Sequence, residues 1–362
     1  MEAKNNGKCS TAYPMNGGDG PYSYANNSIF QRILIDCTKE IISMSILEKL
    51  EITPSKSFWI ADLGCSIGPN TFYAVKTLIE SLKLKYQTNS SKLLPQFQVF
   101  FNDHTSNDFN MLFKSLPEDR GYYAAGVPGS FYGRIFPDAS LHLVHSSFTL
   151  HWLSQVPKEV NDKSSLAWNK GRVYYSNSKN DDQVIKAYKN QHEKDMTMFL
   201  KARAQEIVFG GLMMLIVLGI PNGIHHSESG GNKSFELIGS CLNDMVQKGI
   251  VSEEKVDSFN IPIYLMSPQE FEKSVNENGS FSIERLDVLP HVKVINGVGL
   301  NSHQITFCMR STLGELIKQH FGEEIIDKLF DLYLQKVEEI HPTSIIESLK
   351  TLNFLAVLKR NN

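Results

Sequence analysis

From Ser28 to Leu50 the apolar residues Ile29, Ile33, Leu34, Cys37, Ile41, Ile42 and Met44 recur at threes and fours, the spacing of a helix buried along one face. Beyond it the rhythm changes. The runs "SFWIADLG", "FQVFFND", "LHLVHSSF" and "GLMMLIVL" are short and apolar almost throughout, as strands covered on both faces read. Between them "TFYAVKTLIESLKLKY", "SNDFNMLFKSL" and a long stretch from about Asp182 to Val208 carry helical spacing. Strand alternating with helix predicts βαβ units and a parallel sheet. Two later runs, "FSIERLDVL" and "LNFLAVLK", add strands, and the segments from Gly219 to Ser280 and from about Gln304 to Ile340 read as helical additions to that core. "GIHHSESGGNKS" is the most loop-like segment, and its two histidines are expected in solvent.

Composition narrows the partners. With 362 residues, 41% of them hydrophobic, the chain can bury a large core and lies outside the disordered range. A net charge of -3 supplies no long-range attraction for nucleic acid or anionic lipid, so neither is expected as a partner. The five cysteines are scattered without metal-like spacing, which predicts reduced thiols in a cytoplasmic setting. The start of the chain is polar and glycine-rich, unlike a secretory leader, and "GGLMMLIVLGIP" is too short to span a bilayer.

Candidate chemistry gathers at "FWIADLGCSIGPNT". An apolar strand ending in Asp62, then Gly64, Gly68 and a helix, is the layout of a nucleotide-type site at the carboxyl end of a parallel strand. Gly64 permits a sharp turn and close backbone approach to a ligand. The spacing is not the GxGxxG of dinucleotide enzymes, and an ordinary βα turn carries the same glycine. The next strand also ends in an acid, at Asn102 and Asp103. Two acid-ended strands without a phosphate-binding lysine suit a nucleoside lacking phosphates, such as S-adenosylmethionine, whose ribose hydroxyls a carboxylate can accept.

Taken in order, "GGDGPYSYANNSIFQR", "IADLGCSIGPN", "FFNDHTSNDFN", "GVPGSFYGRIFP", "HSSFTLHWLSQVP", "NKGRVYY", "KARAQEIVFGG" and "DSFNIPIY" resemble the plant SABATH methyltransferases, the salicylate, benzoate and theobromine synthase group. The resemblance implies an α/β fold, a Rossmann-like class I methyltransferase with a seven-stranded sheet and a helical cap. It divides the chain into an N-terminal lid (1–27), a donor-binding α/β core (28–219), a helical cap (220–280), a core strand and loop (281–303), further cap helices (304–345) and a last core strand (346–362). It implies that Tyr24, Ser28, Asp62, Gly64, Cys65, Asn70, Asp103, His104, Ser130 and Phe131 surround S-adenosylmethionine, with Asp103 on the ribose and Ser130 and Phe131 by the adenine. His104 stands where salicylate-type members often carry leucine.

On the acceptor side the resemblance implies methyl-ester formation on a small plant carboxylic acid. A carboxylate is already ionised at neutral pH and needs no general base, so no residue is expected to act as one. It needs donors that fix one oxygen, and Gln31 and Trp152 match the family's carboxylate clamp, with His151 beside them. Each of these side chains is equally at home in a core or loop when taken alone. Phe148, Phe235, Tyr264 and Met309 fall on or near pocket positions, and the rest of the pocket is expected to be apolar. Some relatives hold Mg2+ through residues matching Asn169, Asp257, the Phe259 carbonyl and Asn260; a hydrogen-bonded cluster is the other reading of that set. The resemblance also implies a homodimer. N-methylation of a xanthine is the rival reaction, and a pocket that binds without turnover is the rival class. The segment "VPKEVNDKSSLAWNKGR" is longer than in compact salicylate-type members, which points to a larger or different acid.

Overall fold

Residues of the central strands sort by parity into two cores. On the strand through Ile207–Gly219, Met213, Leu215 and Val217 enter one core, while Leu212, Met214 and Ile216 enter the other. A strand buried on both faces needs this near-continuous apolar run. The computed structural model describes residues 13–51, 56–88, 94–175, 182–290, 300–340 and 352–361, and Cys9 lies outside them. Its seven strands are β1 (Ser57–Leu63), β2 (Gln96–Asp103), β3 (Tyr123–Pro128), β4 (Leu141–Ser147), β5 (Ile207–Gly219), β6 (Phe281–Val288) and β7 (Leu352–Arg360), in the order β3-β2-β1-β4-β5-β7-β6. Pairing is parallel from β3 to β5, and β7 runs antiparallel to both β5 and β6. The order changes direction between β1 and β4, and their carboxyl ends open the crevice in which such sheets bind ligands.

β3 has no counterpart among the strands expected from the sequence. It is an edge strand, half exposed, and carries Gly126 and Pro128, so it lacks the apolar run that marked the others. The long helix ends at Glu206 rather than Val208, because Ile207 already pairs with Leu141 of β4. Among the described residues no helix is long and apolar enough to cross a membrane.

The helix Ile29–Lys49 starts after Ser28, as its spacing predicts, yet its buried face is rotated from the expected one. Ile29 and Met44 point outward at 41% and 48% exposure, whereas Thr38 and Ser45 are fully buried. Their hydroxyls donate to Ile35 O (2.8 Å) and Ile41 O (2.7 Å) within the helix, so burying them leaves no unpaired group. This helix and Pro69–Thr88 cover one face of the sheet. The helix Asp182–Glu206 lies on the other face with the cap helices Gly230–Gln247 and Pro268–Asn278. A further pair, Ser302–Phe321 and Ile326–Glu339, completes the cap.

Candidate active site

β1 ends at Leu63, and the chain turns at Gly64 with φ +76°. The Gly64 and Cys65 amides both donate to Asn102 O (2.8 and 3.0 Å), which clips the turn to the end of β2. A Cβ on Gly64 would stand 2.2 Å from Thr149 Cγ2, so glycine is what lets the loop after β4 come this close. Gly64→Ala is expected to lower stability by about 3 kcal/mol, from the left-handed backbone and overpacking together. The measurement is urea unfolding; a wild-type midpoint would show that Thr149 simply turns away.

Asp103, one residue beyond the β1 pairing, accepts from Ser66 N–H and His104 N–H, each at 2.7 Å. Burial pushes its carboxyl above the ordinary value, against the pull of those two amides and of His104. Ser66 is itself left-handed at φ +51°, and its hydroxyl is buried without a partner. Asp62 behaves differently. It is 3% exposed, Thr71 Oγ1 donates to one of its oxygens, and His145 Nδ1 lies 2.7 Å from the other. Its carboxylate thus ties β1 to β4 and to the next helix, shaping the turn from behind. Asn70 is spent in the same way, donating to Ser28 O (3.0 Å) and Ser28 Oγ (2.9 Å). Cys65 is buried, which raises its thiol well above the ordinary value and keeps it protonated.

The loop after β3 closes the same end of the sheet. Asn102 Nδ2 donates to Val127 O (2.8 Å) and Gly129 O (2.9 Å), while Gly129 N–H donates to Asp103 O (2.9 Å). This places Ser130 and Phe131 beside the Gly64 turn, with Phe131 packed on Tyr132 at 4.8 Å between ring centres. Tyr24 reaches the same region from the N-terminal segment. Burial raises its phenol, with Cys308 and Asp103 close enough to add to the shift.

The acceptor candidates lie on the loop after β4 and the helices above it. Phe148 holds φ +57°, unusual for a bulky residue, and its ring meets Phe30 at 5.9 Å. His151 is 6% exposed, and its Nδ1 is buried without a partner. Burial, with His192 adding, takes its pKa down to about 3, so the ring is neutral. Trp152 is half-buried and lies nearly parallel to Tyr13 at 6.0 Å. Gln31 has Oε1 buried without a partner, and its side chain lies close enough to Cys308 to oppose the rise that burial gives that thiol.

The N-terminal segment is docked over this group. Asn16 N–H donates to Ser311 O (2.9 Å), and Glu315 N–H donates to Asn16 Oδ1 (3.1 Å). Tyr22 lies against Phe307, with the Arg310 guanidinium 3.5 Å from its ring centre. Met309 sits on the same helix, partly buried in the core.

Behind the His151 loop, Tyr175, His192 and His226 pack on Tyr264, and Tyr174 and Tyr188 pack on Tyr175, all of them buried. Tyr264 is 1% exposed and donates its hydroxyl to Glu270 Oε1 at 3.0 Å, so only its ring faces the group. Phe235 packs on Tyr174 at 5.0 Å and meets the others through it. His226, expected in solvent, is buried with Nδ1 3.2 Å from Tyr175 OH, and a helix begins at Gly230 inside the supposed loop.

The buried histidines make the fold acid-sensitive. Burial takes His192 and His226 each down to about 4, alongside His151 at about 3. Unfolded histidine titrates near 6.5, so between that pH and the folded values the unfolded chain binds more protons. Stability therefore rises with pH through this window and is lost as pH falls. The urea midpoint is expected to drop between about pH 6.5 and 4.5, and His192→Gln to flatten that slope; an unchanged slope would remove His192 from the account.

Of the proposed metal ligands, Asn169 Nδ2 donates to Asn260 Oδ1 (2.7 Å), and Tyr188 OH also reaches that oxygen (3.3 Å). Asp257 Oδ1 accepts from Gly171 N–H at 2.7 Å. Asn169 Oδ1 is buried without a partner. The oxygens suit a hard cation in kind, although Asn260 is already committed and only one carboxylate is present. Among the described residues no group of three or more His, Cys, Asp or Glu could hold a metal.

A family profile described as SAM dependent carboxyl methyltransferase matches residues 10–361. The chain is 45% identical over 356 residues to loganic acid O-methyltransferase of Catharanthus roseus, covering 96% of this chain and 94% of that protein. It is 40% identical over 353 residues to farnesoic acid carboxyl-O-methyltransferase of Arabidopsis thaliana, covering 97% and 100%. A solved structure of loganic acid methyltransferase with SAH superposes with a TM-score of 0.92 at 43% identity, covering 96% of this chain and 99% of that one.

Proposed function

Because this chain belongs to the SAM-dependent carboxyl methyltransferase family and transfers a methyl group to a small plant carboxylic acid, we propose that its acceptor is a bulky, hydroxylated acid of the loganic acid class. The observation that carries this reading is the set of polar rings beside and behind the loop of Trp152: His151 lies next to the indole, and His192 and His226 pack on Tyr264, whose N–H donates to His151 O. The long segment before Asn169 and the likeness to the Catharanthus roseus protein agree with it.

In this reading Asp103 accepts the ribose hydroxyls of S-adenosylmethionine, Ser130 and Phe131 wall the adenine, and Tyr24 closes the site from the lid. S-adenosylmethionine supplies a methyl group on a positively charged sulfur; the acceptor oxygen attacks that carbon and the carbon–sulfur electron pair leaves with sulfur. The protein's part is placement. Gln31 through its amide, Trp152 through its indole N–H and neutral His151 hold one carboxylate oxygen and leave the other free to attack. No proton has to be removed, so none of them acts as a base.

The test is transfer of labelled methyl from S-adenosylmethionine to loganic, farnesoic, benzoic and salicylic acids and to xanthines. Base-labile label on loganic acid at the highest kcat/KM is the expected result. Preference for benzoic or salicylic acid would overturn the size class, and base-stable label on a xanthine would overturn the acceptor class.

Asn169 through its unpartnered Oδ1, Asp257, the Phe259 carbonyl and Asn260, once its Oδ1 is released by Asn169 Nδ2, would hold Mg2+ and add a clip between these segments. Mg2+ is then expected to raise the melting temperature, and Asp257→Asn to abolish the rise. Equal melting curves in Mg2+ and in EDTA would leave the hydrogen-bonded cluster as the whole role of these residues. The same reading includes a homodimer, which light scattering tests as twice the chain mass.

A further inference from the structure

On the helix Asp182–Glu206, five buried side chains occupy positions 192, 195, 199, 203 and 206, steps of three and four that keep them on one face. From first to last they span about 21 Å at 1.5 Å per residue. At the first end His192 Nε2 meets Leu150 O at 3.1 Å. Asp195, with 0% exposure, accepts from Ser154 N–H (2.8 Å), Ser154 Oγ (2.6 Å) and Gln191 Nε2 (2.9 Å). These bonds grip the loop that carries His151 and Trp152 on both sides. In the middle Phe199 packs edge-on against Phe131 at 5.9 Å. At the far end Arg203, also 0% exposed, donates to Phe131 O (2.6 Å) and Gly133 O (3.0 Å). It pairs with Glu206, whose other oxygen accepts from Ile135 N–H (2.6 Å) and Phe136 N–H (3.0 Å).

A buried ion pair gains little stability over a well-packed apolar pair, so its retention calls for another role. We propose that this helix is a register bar for both substrates: Asp195 is a positioning residue for the acceptor loop, and the Arg203–Glu206 pair positions the loop that walls the methyl donor. Backbone groups of the two loops hang on one rigid rod, so the distance between donor and acceptor is set by the helix and not by either loop. The inference rests on the assignment of donor and acceptor loops given above.

The test compares Asp195→Asn, Glu206→Gln and the double variant Arg203→Met, Glu206→Leu in the full chain. Asp195→Asn is expected to raise the acceptor KM about tenfold and to leave the S-adenosylmethionine KM within about twofold, one good hydrogen bond's worth. Glu206→Gln is expected to do the reverse, and to weaken S-adenosylhomocysteine binding about tenfold in calorimetry without any acceptor. Glu206→Gln leaves Arg203 buried and unpaired, so it loses melting temperature as well. The double variant leaves no unpaired charge but orphans the Phe131 and Gly133 carbonyls and the Ile135 and Phe136 amides, so it is expected to regain part of the melting temperature and none of the affinity. Parallel shifts of both KM values in the single variants, or affinity returning with stability in the double variant, would overturn the proposal. The calorimetric arm needs no acceptor, so a wild-type protein that methylates no acid would sink the carboxylate reading and leave this arm readable.

Discussion

Trp152→Ala is expected to lower methyl-ester formation by about 100-fold and to leave S-adenosylhomocysteine affinity within about threefold. A donor aimed at a charged oxygen contributes about 1.5–3 kcal/mol, and losing the indole also removes the wall on which Tyr13 lies. The backbone of the loop has separate supports, namely Trp152 N–H on Thr149 O (3.0 Å), Tyr132 OH on Trp152 O, and the bridge to Ile263. Truncating the side chain therefore spares the donor site. Steady-state kinetics with calorimetry checks this; equal losses in both would mean that Trp152 supports the whole crevice and not the acceptor alone.

Asp103→Asn is expected to weaken S-adenosylmethionine binding about 30-fold while raising the melting temperature of the ligand-free protein. Opposite signs follow from one fact, that the carboxylate is half-buried and its charge is partly stripped of water. An acid whose folded pKa lies above its unfolded value of about 3.9 binds more protons folded than unfolded across that interval. Stability therefore falls as pH rises through it, and at neutral pH the charged group is a net burden that the neutral amide lifts. The amide keeps one acceptor for Ser66 N–H or His104 N–H and cannot take both ribose hydroxyls. If binding weakened and the melting temperature fell as well, Asp103 would be holding the turn rather than being held by it.

Much of this architecture is legible along the chain. β1, β2, β4, β5 and β7 announce themselves because a strand buried on both faces must be apolar at nearly every position, and β6, at one edge, does so through Phe281, Ile283, Leu286 and Val288 set among polar residues. β3 does not, since an edge strand buries little. The acid-ended strands β1 and β2 are neighbours as expected, with Leu63 opposite Asn102. Alike in sequence, their two acids differ in role: Asp103 is held by backbone amides, while Asp62 is consumed by Thr71 and His145. His145 comes from β4, 83 positions away, and no local pattern signals that meeting.

The acceptor candidates were legible as residue types and not as surroundings. Gln31, His151 and Trp152 could be singled out, but Tyr13 over the indole and His192 beside the imidazole come from distant elements. The "KARAQE" stretch carries Arg203 and Glu206 in plain view, but nothing local signals that both are buried against the loop after β3. By itself the sequence determined the strand and helix alternation, the glycine turn at the end of β1 and the kind of ligand that turn can take, because each rests on local period, backbone freedom or functional-group chemistry. The tertiary structure alone decided which acid is held by backbone amides and which is consumed by side chains, which histidines are neutral and which charges are buried, because burial and long-range hydrogen bonds depend on what the rest of the chain brings alongside.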